Sequence, residues 1–411
     1  MSIELISGSI TAPKGFKAAA TAARIKYQGR DDMAMIYSEV PCVSAGCYTK
    51  NVVKAAPVIW DKNITKEDLP VHAVVVNSGI ANACTGQEGL DICQKTAEAV
   101  SGELKIPADS VLLGSTGVIG MQLPMDRVLA GVKTLAGALS EDEDSGHRAE
   151  KAIMTTDTVP KEIVFKTVIG GSEVTMAGMA KGSGMIHPNM CTMLAYITTD
   201  AAIDKVLMQE ALSATVVDSF NMISVDGDTS TNDSLILLAN GEAKNPRITS
   251  KNEDYGKFCA MLDEVCLYLA KAMAADGEGA TKLVEAKVIN ADTKDNARTL
   301  AKSVVTSSLT KAAMYGCDAN WGRILCALGY SGVNFDPEKV TLTFWDDDKK
   351  EEMLIYDSGK GQDYSEKEAT RILSAKHVLL KADMHMGSEE ATAYGCDLTH
   401  EYVNINADYR S

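Results

Sequence analysis

The segment Lys181-Gly-Ser-Gly-Met-Ile-His-Pro-Asn-Met-Cys191-Thr192 has the layout of a chain that cuts itself. A glycine-rich stretch runs to a small residue, then to a threonine that opens the apolar run Met193 to Ile197. Attack of Thr192 Oγ on the Cys191 carbonyl would shift the acyl group from nitrogen to oxygen. Hydrolysis would then release an N-terminal Thr192. An α-amine titrates near pH 8, so such a threonine carries its own general base beside its nucleophile. The plainer alternative is that Gly182 and Gly184 only shape a turn and that Met193 to Ile197 is only a buried strand.

Acyl transfer also needs hydrogen-bond donors aimed at the developing oxyanion. Ser115-Thr116-Gly117-Val118-Ile119-Gly120 is a glycine-containing segment that would let a backbone N–H approach closely, and it also reads as an ordinary turn. Lys181 is a cation suited to a substrate carboxylate. Glu278, between Gly277 and Gly279, is an anion suited to a substrate amino group.

Several motifs, in this order, resemble those of the ornithine acetyltransferase (glutamate N-acetyltransferase) family. They are the 115–120 segment, Met154-Thr155-Thr156-Asp157-Thr158, the 181–192 segment, Ala275-Asp-Gly-Glu-Gly-Ala-Thr-Lys282, and Asn404-Ile-Asn-Ala-Asp-Tyr-Arg-Ser411. The resemblance spans about Thr11 to Ser411. It departs at Cys191, where the family usually has alanine; Ser411 stands where threonine also occurs, and either hydroxyl suits the position.

The resemblance implies self-cleavage between Cys191 and Thr192, giving an alpha chain of residues 1–191 and a beta chain of residues 192–411. It implies Thr116 and Gly117 as the oxyanion donors, with Thr155, Lys181, Thr192, Glu278, Asn406 and Ser411 around the substrates. It implies transfer of an acetyl group from N2-acetyl-L-ornithine to L-glutamate through acetyl-Thr192, in arginine biosynthesis. Acetyl-CoA stays open as a second donor. Both cleavage products would remain together, as a heterotetramer of two alpha and two beta chains. An N-terminal-nucleophile amidohydrolase or aminopeptidase would use the same Thr192 but pass the acyl group to water.

The elements that must hold these residues alternate between strand and helix patterns, so a mixed α/β class is expected, and the resemblance implies a layered α/β (α+β) fold in two lobes. Val71 to Val76 is an apolar run ending at Asn77-Ser78-Gly79, which predicts a buried strand. Ile163 to Ala180 predicts a hairpin turning at Gly170-Gly171-Ser172, with Lys181 on the loop that follows. Thr192 to Ile197 and Ser234 to Leu238 predict strands. Helices are expected over Leu90–Leu104, over Asp126–Leu139 behind a capping Asp126, over Asp204–Val217, over Glu253–Ala274, and from Asp292 to about Met314. Glu141 to Gly146 reads as a solvated acidic loop, and Asn320-Trp321 as a helix start.

Composition sets the bounds. The 411 residues are 45% hydrophobic and 23% charged, ordinary for a globular chain. A formal charge of −16 argues against nucleic acid and anionic membrane as partners. No apolar run approaches the roughly 20 residues of a membrane span, and no signal peptide is visible, so a cytoplasmic location is expected. Neither a phosphate-binding Gly-x-x-x-x-Gly-Lys motif nor a His/Cys cluster with zinc spacing occurs, and neither a cofactor nor a metal is expected.

Overall fold

The computed structural model describes residues 3–187 and 193–407. The chain begins with β1 (Glu4–Ile6), β2 (Phe16–Thr21), β3 (Met33–Tyr48), α1 (Ala56–Lys66), β4 (Val71–Ile80), α2 (Gly86–Leu104) and β5 (Val111–Val118). It continues with α3 (Met125–Ala138), α4 (Glu143–Ile153), β6 (Lys161–Ile169), β7 (Ser172–Lys181), β8 (Leu194–Thr199), α5 (Lys205–Asp218), β9 (Ile223–Ser224), β10 (Ser234–Ala239) and α6 (Glu253–Ala275). The remainder comprises β11 (Leu283–Ala291), α7 (Lys294–Thr306), α8 (Ser308–Tyr315), α9 (Trp321–Gly329), β12 (Thr341–Asp346) and β13 (Glu351–Asp357). β14 (Lys360–Gly361), α10 (Glu366–Leu373), β15 (His377–Asp383), β16 (Glu389–Cys396) and α11 (His400–Ala407) complete it.

The described residues form two compact units. Residues 3–182, 193–221 and 229–269 make the larger, and residues 183–187, 222–228 and 270–407 the smaller. The larger unit holds strands in the order β1-β6-β7-β8-β10-β3-β4-β5, with β2 beside β3. The 16-residue β3 serves two layers. Its residues 33–37 pair with β2 and β4, and its residues 43–48 pair with β10.

Between those layers lies a core in which Ile36, Val74, Val76 and Leu112 face Met179, Tyr196, Ile236 and Leu238. The layers approach closely at Gly114, where an added Cβ would meet the Tyr196 hydroxyl at 2.1 Å. The alternate residues of β4 and β5, Ala73, Val75 and Leu113, face the other way, against Ile92, Val100, Val128 and Leu135 of α2 and α3. Burial on both faces is why Val71 to Val76 is an unbroken apolar run. On the outer side of the second layer, Gly178 of β7 seats Val265 and Leu269 of α6. Gln209 of α5 bonds both backbone groups of Gly46. The result is a helix–sheet–sheet–helix stack.

The smaller unit is a second sheet, in the order β14-β13-β12-β15-β11-β16-β9. In β11, Val284, Ala286 and Val288 are buried while Glu285 and Lys287 take the opposite face. The buried face packs against Leu300, Val304, Met314, Ile324 and Leu373 of the helices.

The expected α/β class is met, and the hairpin forms with Ile169 opposite Ser172. Its loop residues Gly170 and Gly171 take φ of +56° and +83°, as a two-residue turn between twisted strands requires. Four expectations are corrected. Lys181 is the last residue of β7, paired with Leu194, and not part of a loop. Glu143 and Asp144 open α4, where acidic groups are favoured at the positive end of the helix dipole, instead of lying in an acidic loop. Asp126 sits inside the first turn of α3, whose start is set by Pro124. The helix expected from Asp292 to Met314 is two, because Ser307 accepts the Thr310 N–H and caps α8. Among the described residues no helix is long and apolar enough to cross a membrane.

Candidate active site

Thr116 and Gly117 lie at the carboxyl end of β5 and not in a turn. They run parallel to β4, with Ser78 opposite Thr116 and Gly79 opposite Gly117. Both are half-buried. Gly117 has φ +128°, and a Cβ there would stand 2.2 Å from the Gly79 carbonyl carbon, so the position admits only glycine. Two asparagines fix the segment. Asn77 accepts from the Ser115 hydroxyl at 2.6 Å and donates to the Ile80 carbonyl at 2.9 Å. Asn232 donates to the Ser115 carbonyl at 2.8 Å and to the Ala81 carbonyl at 2.5 Å.

Asn232 leads toward the strand that follows the expected cleavage position. Two residues on, the Ser234 N–H donates to the Met193 carbonyl at 2.8 Å and starts the parallel β8–β10 pairing. Between them Asp233 is fully enclosed, and burial pushes its carboxyl well above the usual range. Leu194 then pairs with Lys181 across the β7–β8 ladder.

Lys181 is buried, with its ammonium 3.9 Å from Asp157 Oδ2. The Asp157 carboxylate is inaccessible and accepts hydrogen bonds from Lys161 Nζ at 2.8 Å, the Gly182 N–H at 2.6 Å and the Thr155 N–H at 3.0 Å, while the Lys181 ammonium stands 3.9 Å away as an ion-pair partner. Burial alone would raise its pKa. The Lys181 and Lys161 charges and those hydrogen bonds outweigh burial and hold Asp157 well below the ordinary carboxylate range. Nearby, Glu150 accepts the Lys161 N–H at 2.7 Å, and burial pushes its carboxyl up to about 8.

In the smaller unit, Glu278 is buried and accepts from Asn406 Nδ2 at 2.6 Å. Its own N–H donates to the Ser183 carbonyl at 3.0 Å, and Ser183 Oγ donates to the Asp276 carbonyl at 2.6 Å. A Cβ on Gly184 would collide with the Glu278 carboxylate at 2.3 Å. The same stretch is held by Asp226, whose oxygens accept the Met185 and Ile186 N–H groups at 2.6 and 2.9 Å. His187 closes it with a 3.1 Å contact to Ser224 Oγ, and burial lowers its pKa to about 4.

The structure therefore joins Thr155 to Lys181 through Asp157, and Thr116–Gly117 to the start of the β8–β10 pairing through Asn232. It joins Glu278 to Asn406 directly. Cys191, Thr192 and Ser411 lie outside the described residues. Three residues that organise these groups were not singled out from sequence. Asp157 stands inside the Thr-Thr-Asp-Thr motif with Lys161 four residues on, a signal that was available. Asp226 and Asn232 stand in Ser224–Asp233, where alternating Asp, Gly, Ser and Thr suggest only a turn.

Comparison with known proteins places the chain. The model of the ArgJ family matches residues 17–411. The "Arginine biosynthesis bifunctional protein ArgJ" of Symbiobacterium thermophilum is 50% identical over 411 residues, covering 100% of each chain. "Arginine biosynthesis bifunctional protein ArgJ 1" of Clostridium acetobutylicum is 49% identical over 98% of each. A crystal structure of the ornithine acetyltransferase of Mycobacterium tuberculosis, complexed with ornithine, is 40% identical with a TM-score of 0.42. The match covers 46% of this chain and 99% of that one. With a family model matching nearly its whole length and relatives of half identity covering all of it, this chain belongs to the ArgJ family.

Proposed function

We propose that this chain is a self-cleaving acetyltransferase that moves the acetyl group of N2-acetyl-L-ornithine to L-glutamate in arginine biosynthesis. Cleavage at Cys191–Thr192 yields chains 1–191 and 192–411, which assemble in the cytoplasm as two alpha and two beta chains. Thr192 Oγ attacks the acetyl carbonyl while the Thr192 amine takes its proton. The Thr116 hydroxyl and the Gly117 N–H receive the oxyanion. Collapse of the tetrahedral adduct returns the proton to the leaving nitrogen, and ornithine departs as the amine. The glutamate amine then attacks acetyl-Thr192, releasing N-acetylglutamate and the free hydroxyl.

Both substrates carry an α-carboxylate and differ at the far end of the side chain. Lys181 with Thr155 serves the shared end. Glu278 with Asn406 serves the ornithine ammonium, and Ser411 belongs to the same substrate set. The observation that carries the reading is a path of hydrogen bonds, strand pairing and one ion pair in the larger unit. It runs from Ser115 through Asn232 to Met193, and from Leu194 through Lys181 and Asp157 to Thr155. Residues scattered over much of the sequence are thereby tied to the strand that follows Thr192.

The test is a mass spectrum of the purified chain together with a two-substrate assay. Two chains, the second beginning Thr-Met-Leu-Ala, and glutamate-dependent loss of acetylornithine are expected. A single full-length chain, or acetyl release to water at a rate indifferent to glutamate, would overturn the reading. The latter result is the amidohydrolase outcome. The Symbiobacterium thermophilum and Clostridium acetobutylicum relatives are called bifunctional, and acetyl-CoA as donor in the same assay tests a second activity here.

A further inference from the structure

Residues 183–187 run from the end of β7 toward the proposed cut and belong to no helix or strand. Backbone groups without a ladder need partners from elsewhere. Here they come from the smaller unit, to which the segment itself belongs. Ser183 Oγ donates to the Asp276 carbonyl at 2.6 Å, and the Ser183 carbonyl accepts the Glu278 N–H at 3.0 Å. The Ile186 carbonyl accepts the Val225 N–H at 2.7 Å, and His187 Nδ1 lies 3.1 Å from Ser224 Oγ. Between them Asp226 spans two consecutive peptides. Its Oδ2 accepts the Met185 N–H at 2.6 Å and its Oδ1 the Ile186 N–H at 2.9 Å. Asp226 also takes the Asp228 N–H at 3.1 Å and has the Tyr402 hydroxyl beside it.

Met185 shows what these bonds do. Its φ is +55°, a left-handed conformation that costs a non-glycine residue free energy and persists only where the surroundings impose it. The Met185 residue is 43% exposed, so side-chain packing does not impose it. The bonds to its own N–H and to the next one do. Only a carboxylate accepts from both, since an asparagine would turn its amide N–H groups toward one of the two donors. The partners named, Ser224, Val225, Asp226, Asp276 and Glu278, all lie beyond residue 192 in the sequence, on the other side of the proposed cut.

We propose that Asp226 is the positioning residue of self-cleavage, with Ser224 and Val225 beside it. It fixes the backbone that leads to the scissile peptide. The stretch of chain over which attack of Thr192 on Cys191 must be organised thereby shortens from residues 183–192 to residues 188–192. An intramolecular attack gains rate from conformational freedom removed beforehand. The proposal rests on the self-cleavage in the reading above and gives Asp226 no chemical step. Once the peptide is cut that attack is over, and Asp226 has no part in acetyl transfer.

The experiment follows the full chain made by cell-free synthesis. The ratio of uncut to cut protein is read by mass spectrometry over time, and acetyl transfer per cut chain is measured once cleavage is complete. Asp226→Asn should slow cleavage on the order of 10- to 100-fold, the penalty for stranding one backbone donor. Transfer per cut chain should match wild type in both kcat and KM. Asp228→Asn removes a neighbouring charge but keeps the N–H that bonds Asp226, so it should cleave at the wild-type rate. Met185→Gly added to Asp226→Asn should recover cleavage severalfold, because glycine takes the left-handed φ unaided.

Cleavage of Asp226→Asn at the wild-type rate would overturn the proposal. Equal losses of cleavage and of transfer per cut chain would do the same, since they mark a general disturbance of the fold. Equal slowing by Asp228→Asn, or no recovery with Met185→Gly, also counts against it decisively. Should Asp226→Asn give no cooperative melt, Ser224→Ala decides, because it removes the hydroxyl that faces His187. Cleavage slowed about 2- to 10-fold upholds the proposal, and unchanged cleavage overturns it. A wild-type chain that stays uncut fails the self-cleavage reading itself. That outcome differs from a wild type that cuts beside variants that keep pace with it.

Discussion

Replacing Gly117 with alanine tests the close approach of β4 and β5 and the oxyanion assignment together. The added Cβ would stand 2.2 Å from the Gly79 carbonyl carbon and 2.4 Å from its oxygen. Both are backbone atoms that cannot rotate away. Ordinary contact begins at 3.4 Å, so the strands must part by about 1 Å or the peptide must tilt. The φ of +128° adds strain for any residue with a side chain. Overpacking costs about 1–3 kcal/mol and an unfavourable backbone region about 1–3 kcal/mol more, together roughly 2–6 kcal/mol. The N–H at this position moves with its peptide, and loss of one oxyanion donor lowers turnover by about 10²–10³. The assay is a thermal melt and a single-turnover transfer on the same preparation. A Tm lower by several degrees is expected, with acetyl-enzyme formation slowed by at least two orders of magnitude. Gly171→Ala is the control. Its φ is +83° but nothing lies within 4 Å, so it should lose a little stability and no activity. A Gly117→Ala protein with wild-type Tm and turnover would refute the packing argument and the donor role alike.

Two further perturbations address charge. Glu150 is fully buried, and among the described residues its second carboxyl oxygen has no hydrogen-bond partner. Its pKa rises from 4.5 unfolded to about 8 folded, so the folded state holds the proton more tightly, and stability falls as pH climbs between those values. Glu150→Gln should abolish that slope. It should match wild type near pH 4 and exceed it by about 2–4 kcal/mol near pH 9, as read from melts across the range; parallel curves would refute this. Glu278→Gln keeps the size and the Asn406 contact but removes the charge. It should slow acetyl-enzyme formation from acetylornithine on the order of 10- to 100-fold and leave decay to glutamate nearly intact. Equal effects on the two half-reactions would remove Glu278 from the ornithine end.

Periodic signals carried much of the fold. The apolar run of β4, the hairpin of β6 and β7, the long apolar stripe of α6 and the Asn320 cap of α9 are each visible in a few neighbouring residues. The break at Ser307 is less so, because the apolar stripe continues through Val304 and Val305 and only a hydroxyl cap interrupts it. Site chemistry was legible as residue types in motifs, and its support was not. Asp157 reads as a surface carboxylate until β6 and β7 bring Lys161 and Lys181 to it. Asn232 reads as a turn residue until β10 delivers it to the carbonyl groups of Ser115 and Ala81. Hydrogen bonds between distant segments leave no periodicity. The same applies to Lys181, whose place on β7 depends on pairing with Leu194 across the loop.

In the sheet order β7-β8-β10-β3, two strands that follow the proposed cut lie between two that precede it. Neither product can form its half of the sheet alone, since β8 and β10 without β7 and β3 would expose two apolar edges. If the chain is cut as proposed, only the uncut form can reach this strand order by an ordinary unimolecular route, and the cut must come after folding. Long-range pairing of this kind is slow to form. Once the peptide is cut, an unfolded molecule has lost the covalent link that lowered the entropy of bringing the strands together, and refolding becomes a bimolecular search. The mature protein should then owe its persistence to a high unfolding barrier rather than to ready refolding.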